Sequence, residues 1–143
     1  MFTTKLRHLT GTEREVKCPN KGFTSFRYLL AEDGMGFSVC RTVIPAGEPQ
    51  HWHYKNHLEA CLCLSGSGTL RNLRTGQKFR ILPDTMYVLD QHDDHEFQAH
   101  EEIVLISIFN PPLTGNEVHD SQHSYPLVGG GDPGDDPLRR EDS

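Results

Sequence analysis

Apolar and polar positions along this chain alternate in short runs and do not recur at helical spacing. Eight runs carry the pattern: residues 25–31, 36–44, 57–65, 68–73, 77–82, 85–89, 95–99 and 102–109. They are rich in β-branched and aromatic residues, and several alternate, which is the signature of half-buried strands. Turn signals separate them at Asp33-Gly34, Pro45-Ala46-Gly47, Ser65-Gly66-Ser67-Gly68, Thr75-Gly76 and Pro83-Asp84. The stretch Arg74-Thr75-Gly76 is expected to turn a hairpin. No segment has the length and period of a substantial helix; residues 10–15 and the stretch after Leu113 have room for a turn. Many short strands at close spacing predict an all-β sandwich or barrel.

Alternation also sorts side chains by face, because residues two apart in a strand point the same way. Glu59 shares its face with Cys61 and Cys63. Leu58, Ala60, Leu62 and Leu64 take the other, which is expected to pack on the opposite sheet or on a second subunit. The same rule pairs Ser25 with Arg27, Cys40 with Thr42, and Ser107 with Phe109.

A chain of 143 residues suits one domain with one core. From Val128 onward it turns to Gly, Pro and Asp, with almost nothing apolar to offset the entropy of ordering. The expected division is a folded domain over 1–127 and a disordered acidic tail over 128–143. The formal charge is −6, and half of it falls between 132 and 143, where five acidic residues face two arginines. Such a surface argues against nucleic acid and anionic membranes as partners. No run approaches the ~18 apolar residues of a membrane span. The first residues lack the apolar core of a secretory signal, so a cytoplasmic protein is expected. Cys18, Cys40, Cys61 and Cys63 are then expected to be free thiols, small residues of a barrel lining.

Candidate chemistry gathers in two places. Residues 51–59 read H-W-H-Y-K-N-H-L-E, and His92-Asp93-Asp94-His95 follows the strand that carries Tyr87. The series Gly47, His51, His53, Glu59, Gly66, then Pro83 and His95, resembles the two cupin motifs. It departs from them in the five residues between His53 and Glu59, and in Thr85 where a Gly normally follows the Pro.

A closer resemblance covers residues 10–127. HYKNHLEACLCLSGSG, PDTMYVLDQHDDH and ISIFNPPLTGNEVH, with GTEREVK and LAEDGMGFS nearer the start, are similar to the ectoine synthase family. The resemblance implies a cupin-type β-barrel, or jelly roll, and an enzyme that turns N-γ-acetyl-L-2,4-diaminobutyrate into ectoine and water. It implies iron(II) held by Glu59, Tyr87 and His95. Carboxylate and phenolate are hard oxygen donors and imidazole suits iron; the phenolate needs the metal's charge, since free tyrosine titrates near ~10. It further implies substrate contacts from Phe23, Ser25, Arg27, Cys40, Thr42, Tyr54, Ser107 and Phe109, proton transfers by Glu117 and His119, and a homodimer. Arg27 is the expected clamp on the substrate carboxylate. His51, His53 and His57 do not match the family's ligands; His51 and His53 are expected to line the cavity or support the site, and His92 to serve a turn. Phe23, Cys40 and Ser107 stand where the family commonly has Trp, Asn or His, and Cys, which alters the cavity wall. The rival readings are a related cupin cyclase or hydrolase, a cupin dioxygenase and a metal-free binding module.

Overall fold

Ten strands are arranged in two antiparallel sheets in a computed structural model that describes residues 1–18, 22–115, 117, 124 and 125. The strands are β1 (Glu15–Lys17), β2 (Thr24–Leu29), β3 (Ser38–Ile44), β4 (Gln50–His53), β5 (Leu58–Ser65), β6 (Gly68–Asn72), β7 (Lys78–Ile81), β8 (Met86–Leu89), β9 (Asp94–Ala99) and β10 (Ile103–Asn110). One sheet has the order β1-β2-β3-β10-β5-β8 and the other β4-β9-β6-β7. A four-residue helix α1 (Leu6–Leu9) and a 3-10 turn at Ala31–Asp33 are the helical pieces among the described residues. All eight expected strands are present. Two more, β1 and β4, were not expected. The tail over 128–143 lies outside the described residues.

Period two decides what each strand buries. Along β9 every second residue is buried: His95, Phe97 and Ala99. In β5 the buried set is Glu59, Cys61 and Cys63. This corrects one expectation: the leucine face does not meet the opposite sheet. It points outward, where Leu58, Leu64, Met86 and Val88 are exposed. The polar face is the one turned inward.

Register then stacks inward residues into rungs across the larger sheet. One rung runs Arg27–Cys40–Ser107–Cys61–Tyr87, from β2 through β3, β10 and β5 to β8. Glu59 and Phe109 pair in the rung on one side of it. Ser25, Thr42, Leu105 and Cys63 form the rung on the other side, and beyond that Ile44 pairs with Ile103. The barrel therefore grades from a polar end to an apolar one, where Leu70, Ile81 and Ile103 are buried.

The turns follow their local chemistry. Asn72 Oδ1 accepts the backbone N–H of Arg74 at 2.9 Å and of Thr75 at 3.2 Å, closing the expected β6–β7 hairpin. Gly66 turns β5 into β6 at φ +85°, and an added Cβ there would overlap the Glu102 carbonyl oxygen and fall 2.7 Å from Ile103 Cα. Gly76 has φ +77° with open space around it. Gly66→Ala is expected to cost at least about 3 kcal/mol, combining backbone strain with the clash. Gly76→Ala should cost only the backbone part, about 1–2 kcal/mol. Denaturant midpoints of the two variants check this ordering.

Candidate active site

A cavity of about 330 Å³, counting its open mouth, lies between the sheets at the polar end. Ser25, Thr42, Glu59, Tyr87, Ser107 and Phe109 line it from the larger sheet, Trp52 from the smaller, and Phe23, Tyr54 and Tyr125 from flanking segments. Six of the eight expected substrate contacts are thus on one wall system: Phe23, Ser25, Thr42, Tyr54, Ser107 and Phe109. Arg27 and Cys40 lie farther along the rung of Ser107 and Tyr87, each 1% exposed.

Hydroxyls and a thiol are chained along this wall. Thr42 Oγ1 is 3.0 Å from Ser107 Oγ, which is 3.4 Å from Cys61 Sγ. Cys61 shares the inner face of β5 with Glu59 and pairs across strands with Tyr87 on β8. Burial pushes the Glu59 carboxyl up to about 8, against the smaller opposing effect of that thiol. Burial likewise drives the phenols of Tyr54 and Tyr87 well above their ordinary value. Cys40 rises to about 11, mainly by burial, with the Arg27 charge opposing.

His95 comes from the facing sheet. Its ring packs against Trp52 at 6.2 Å and Tyr54 at 6.0 Å between centroids, and both of those residues line the cavity. Its Nδ1–H donates to the Asp93 carbonyl at 2.8 Å. That bond fixes the tautomer, leaving a lone pair on Nε2. Nε2 is buried and has no hydrogen-bond partner among the described residues. A buried, unsatisfied polar atom is costly unless something meets it. A backbone-oriented imidazole with its other nitrogen open is the usual state of a metal-binding histidine. Among the described residues no three His, Cys, Asp or Glu side chains gather for a metal ion. The candidate set contains only two of those types, Glu59 and His95; Tyr87 supplies the third donor. The lone pair of His95, the high-lying carboxyl of Glu59 and the phenol of Tyr87 fit a divalent cation such as iron(II).

Other expectations resolve differently. His51 and His53 do not line the cavity. They alternate with Trp52 on β4, so burying Trp52, 4% exposed, turns both outward. There His51 Nε2–H donates to the Asp94 carboxylate, and His53 Nδ1 is 3.9 Å from the same oxygen. His92 adopts φ +50° in its turn and its Nδ1–H donates to the Tyr54 carbonyl at 2.9 Å. Arg27 is engaged by the chain beyond β10: its guanidinium donates to the carbonyls of Gly115 and, at 2.5 Å, Glu117, and through Nε–H to Ser25 Oγ at 3.4 Å. Its Nη1 is 3.6 Å from the Glu117 carboxylate. Burial alone would raise the pKa of Glu117, but the backbone N–H groups of Thr114 and Gly115 outweigh it and hold the carboxylate below its ordinary range. Glu117 lies in no strand, and His119 lies outside the described residues. Trp52, Cys61 and Tyr125 were absent from the expected site; alternation on β4 and β5 signals the first two, and no periodic signal marks Tyr125.

Two antiparallel sheets closed around a pocket make a cupin-type barrel. The fold is shared with the Schizosaccharomyces pombe Cnp3 cupin domain, at TM-score 0.53 and 15% identity over 62% of this chain and 64% of that one. The chain belongs to the ectoine synthase family, whose sequence profile, described as "Ectoine synthase", matches residues 1–129. An L-ectoine synthase of Wolinella succinogenes is 48% identical over 130 residues, 91% of this chain and 99% of that protein. The crystal structure of ectoine synthase from P. lautus superposes at TM-score 0.79, with 38% identity over 95% of this chain and 96% of the other. Membership makes the protein a carbon–oxygen lyase.

The buried carboxyl has a consequence for stability without metal. A carboxyl whose pKa is higher folded than unfolded keeps a proton that the unfolded chain has lost, so rising pH favours unfolding. For Glu59 the window runs from 4.5 to about 8. Burial lowers the pKa of His57 and His95 from 6.5, so above that the unfolded chain sheds its remaining histidine protons and the Glu59 effect comes to dominate. Metal-free protein should lose thermal stability as pH rises from about 6.5 to 8, and Glu59→Gln should flatten the curve. A wild-type curve that is level or rising there contradicts the assignment.

Proposed function

We propose that this protein cyclises N-γ-acetyl-L-2,4-diaminobutyrate to ectoine with loss of water, using iron(II) held by Glu59, Tyr87 and His95. The observation that carries the reading is the His95 imidazole, oriented by Asp93 and buried with Nε2 unpartnered among the described residues, in a barrel whose inner face also carries Glu59 and Tyr87. When bound, iron(II) supplies Lewis acidity toward the acetamide oxygen.

In the reaction the substrate's α-nitrogen forms a bond to the acetamide carbon. The former carbonyl oxygen leaves that carbon as water, and a six-membered amidine remains. Two protons must leave the α-ammonium nitrogen in all, and two must reach the carbonyl oxygen, one as it becomes a hydroxyl and one as it departs as water. Glu117 and His119 are proposed to carry them. Glu117 is held ionised by its loop, which suits an acceptor. Arg27 holds that loop and keeps a positive charge at the end of the cavity where the substrate carboxylate is attracted. Ser25, Thr42 and Ser107 offer hydroxyls to the substrate's polar groups, backed by Cys40. Phe23, Tyr54 and Phe109 exclude water and hold the chain bent. Holding amine and carbonyl together is worth effective molarities of roughly 10⁵–10⁸ M in oriented intramolecular reactions.

The protein is further proposed to act in the cytoplasm as a homodimer. The outward apolar face formed by Leu58, Leu64, Met86 and Val88 supports a partner on β5 and β8, since contiguous exposed apolar area marks interaction surfaces. Supplying iron(II) anaerobically with the acetylated diaminobutyrate should yield ectoine, read by mass spectrometry. Glu59→Ala, Tyr87→Phe and His95→Ala should each lower turnover by roughly 10²-fold or more, the scale of several kcal/mol of charge stabilisation. Release of acetate and free diaminobutyrate instead would make the protein a hydrolase.

A further inference from the structure

Tyr125 lies 15 residues beyond the end of β10, yet it lines the cavity and is 3% exposed. Its ring stacks on Tyr54, with centroids 5.1 Å apart and planes at 22°. It meets Phe109 edge-on at 5.4 Å and His57 edge-on at 6.1 Å. The Arg27 guanidinium carbon stands 5.9 Å from the ring centroid.

The backbone around it is fastened at the β4–β5 connection. The Lys55 N–H donates to Ser124 Oγ at 2.9 Å, and the Asn56 amide donates to the Tyr125 carbonyl at 2.9 Å. The chain leaving the barrel is fastened first elsewhere. The fully buried Leu113 donates its N–H to Ser38 Oγ at 3.0 Å, and Arg27 takes the carbonyls of Gly115 and Glu117. Five described residues beyond β10, Leu113, Gly115, Glu117, Ser124 and Tyr125, are therefore fastened to the barrel. A residue that only filled a core would not need its backbone fastened to the β4–β5 connection, nor a place on the cavity's lining.

We infer that Tyr125 is a substrate-contacting, specificity-determining residue: latched by Lys55 and Asn56, its ring closes the cavity beside Tyr54 and Phe109 and limits the size of the acyl group admitted. This rests on the cyclisation reading for the identity of the substrate, and on the geometry alone for the closure. Aromatic rings suit the task because they give a large, rigid wall with few rotatable bonds. A hydrophobic wall discriminates one methylene by a factor of ~10–200.

Two measurements on the full chain test it. With iron(II) loaded, KM and kcat are compared for the N-γ-acetyl substrate and its N-γ-propionyl analogue, in wild type, Tyr125→Ala and Tyr125→Phe. Tyr125→Ala should raise KM for the acetyl substrate about tenfold and reduce the preference for acetyl over propionyl at least about fivefold, at unchanged iron content; Tyr125→Phe should recover the preference. A residue serving only the core would lower the melting temperature and leave KM and the preference where they are, which overturns the inference. Separately, the chain's single tryptophan, Trp52, lines the same cavity. Acrylamide quenching of its fluorescence should at least double in Tyr125→Ala relative to wild type and Tyr125→Phe. Equal quenching overturns the closure even if the wild type makes no ectoine, an outcome that would sink the proposed reaction instead.

Discussion

The site depends on one constraint: a carboxyl, Glu59, is placed on the inner face of a closed barrel with too few partners to satisfy it. Burial pushes it up to about 8, against the smaller opposing effect of the Cys61 thiol. An ion in such a place is expensive unless it is paired or coordinated. The neighbouring groups do not supply a counter-charge. Tyr87 and Cys61 are acids themselves, both driven upward by burial. His95 is held with its Nδ1 proton on a backbone carbonyl, which leaves an electron pair facing away from that bond. A cation held by these groups would relieve the buried carboxyl and the open imidazole nitrogen together, which is what the proposed iron site supplies.

Sheet register does the positioning. Glu59, Cys61 and Tyr87 arrive through adjacent strands β5 and β8, and His95 arrives from the opposing sheet through β9. Because inward residues stack as rungs, the polar groups sit at one end and the apolar plug of Leu70, Ile81 and Ile103 at the other. The plug stabilises the barrel without touching the chemistry. Beyond β10 the described residues Leu113, Glu117, Ser124 and Tyr125 are tied to Ser38, Arg27, Lys55 and Asn56. Arg27 links the two systems: it belongs to the rung beside Cys40 and also holds the backbone that carries Glu117.

Much of the barrel was legible in the sequence, because alternation and turn residues are local signals. Glu59 with Cys61 and Cys63 could be assigned to one face from period two alone. The cysteines of that face were expected to line the barrel, and they do, with Leu58 and Leu64 on the alternate positions exposed. β4 was hidden because its single apolar residue, Trp52, is flanked by histidines that look like chemistry. β1, three residues long, carries too little pattern to stand out, and its pairing with β2 creates it. The engagement of Arg27 with main-chain carbonyls also lay beyond the sequence. It joins residues 88 and 90 positions apart, and no spacing rule reports such a contact.

X-ray absorption spectroscopy of the iron(II)-loaded protein, read with metal content, tests the central claim most directly. The account predicts one iron per chain with imidazole nitrogen and two kinds of protein oxygen in its inner sphere. The nitrogen signal should vanish in His95→Ala, and the iron should be lost or its oxygen shell altered in Glu59→Ala and Tyr87→Phe. Iron bound with the same stoichiometry and the same spectrum in all three variants would contradict it.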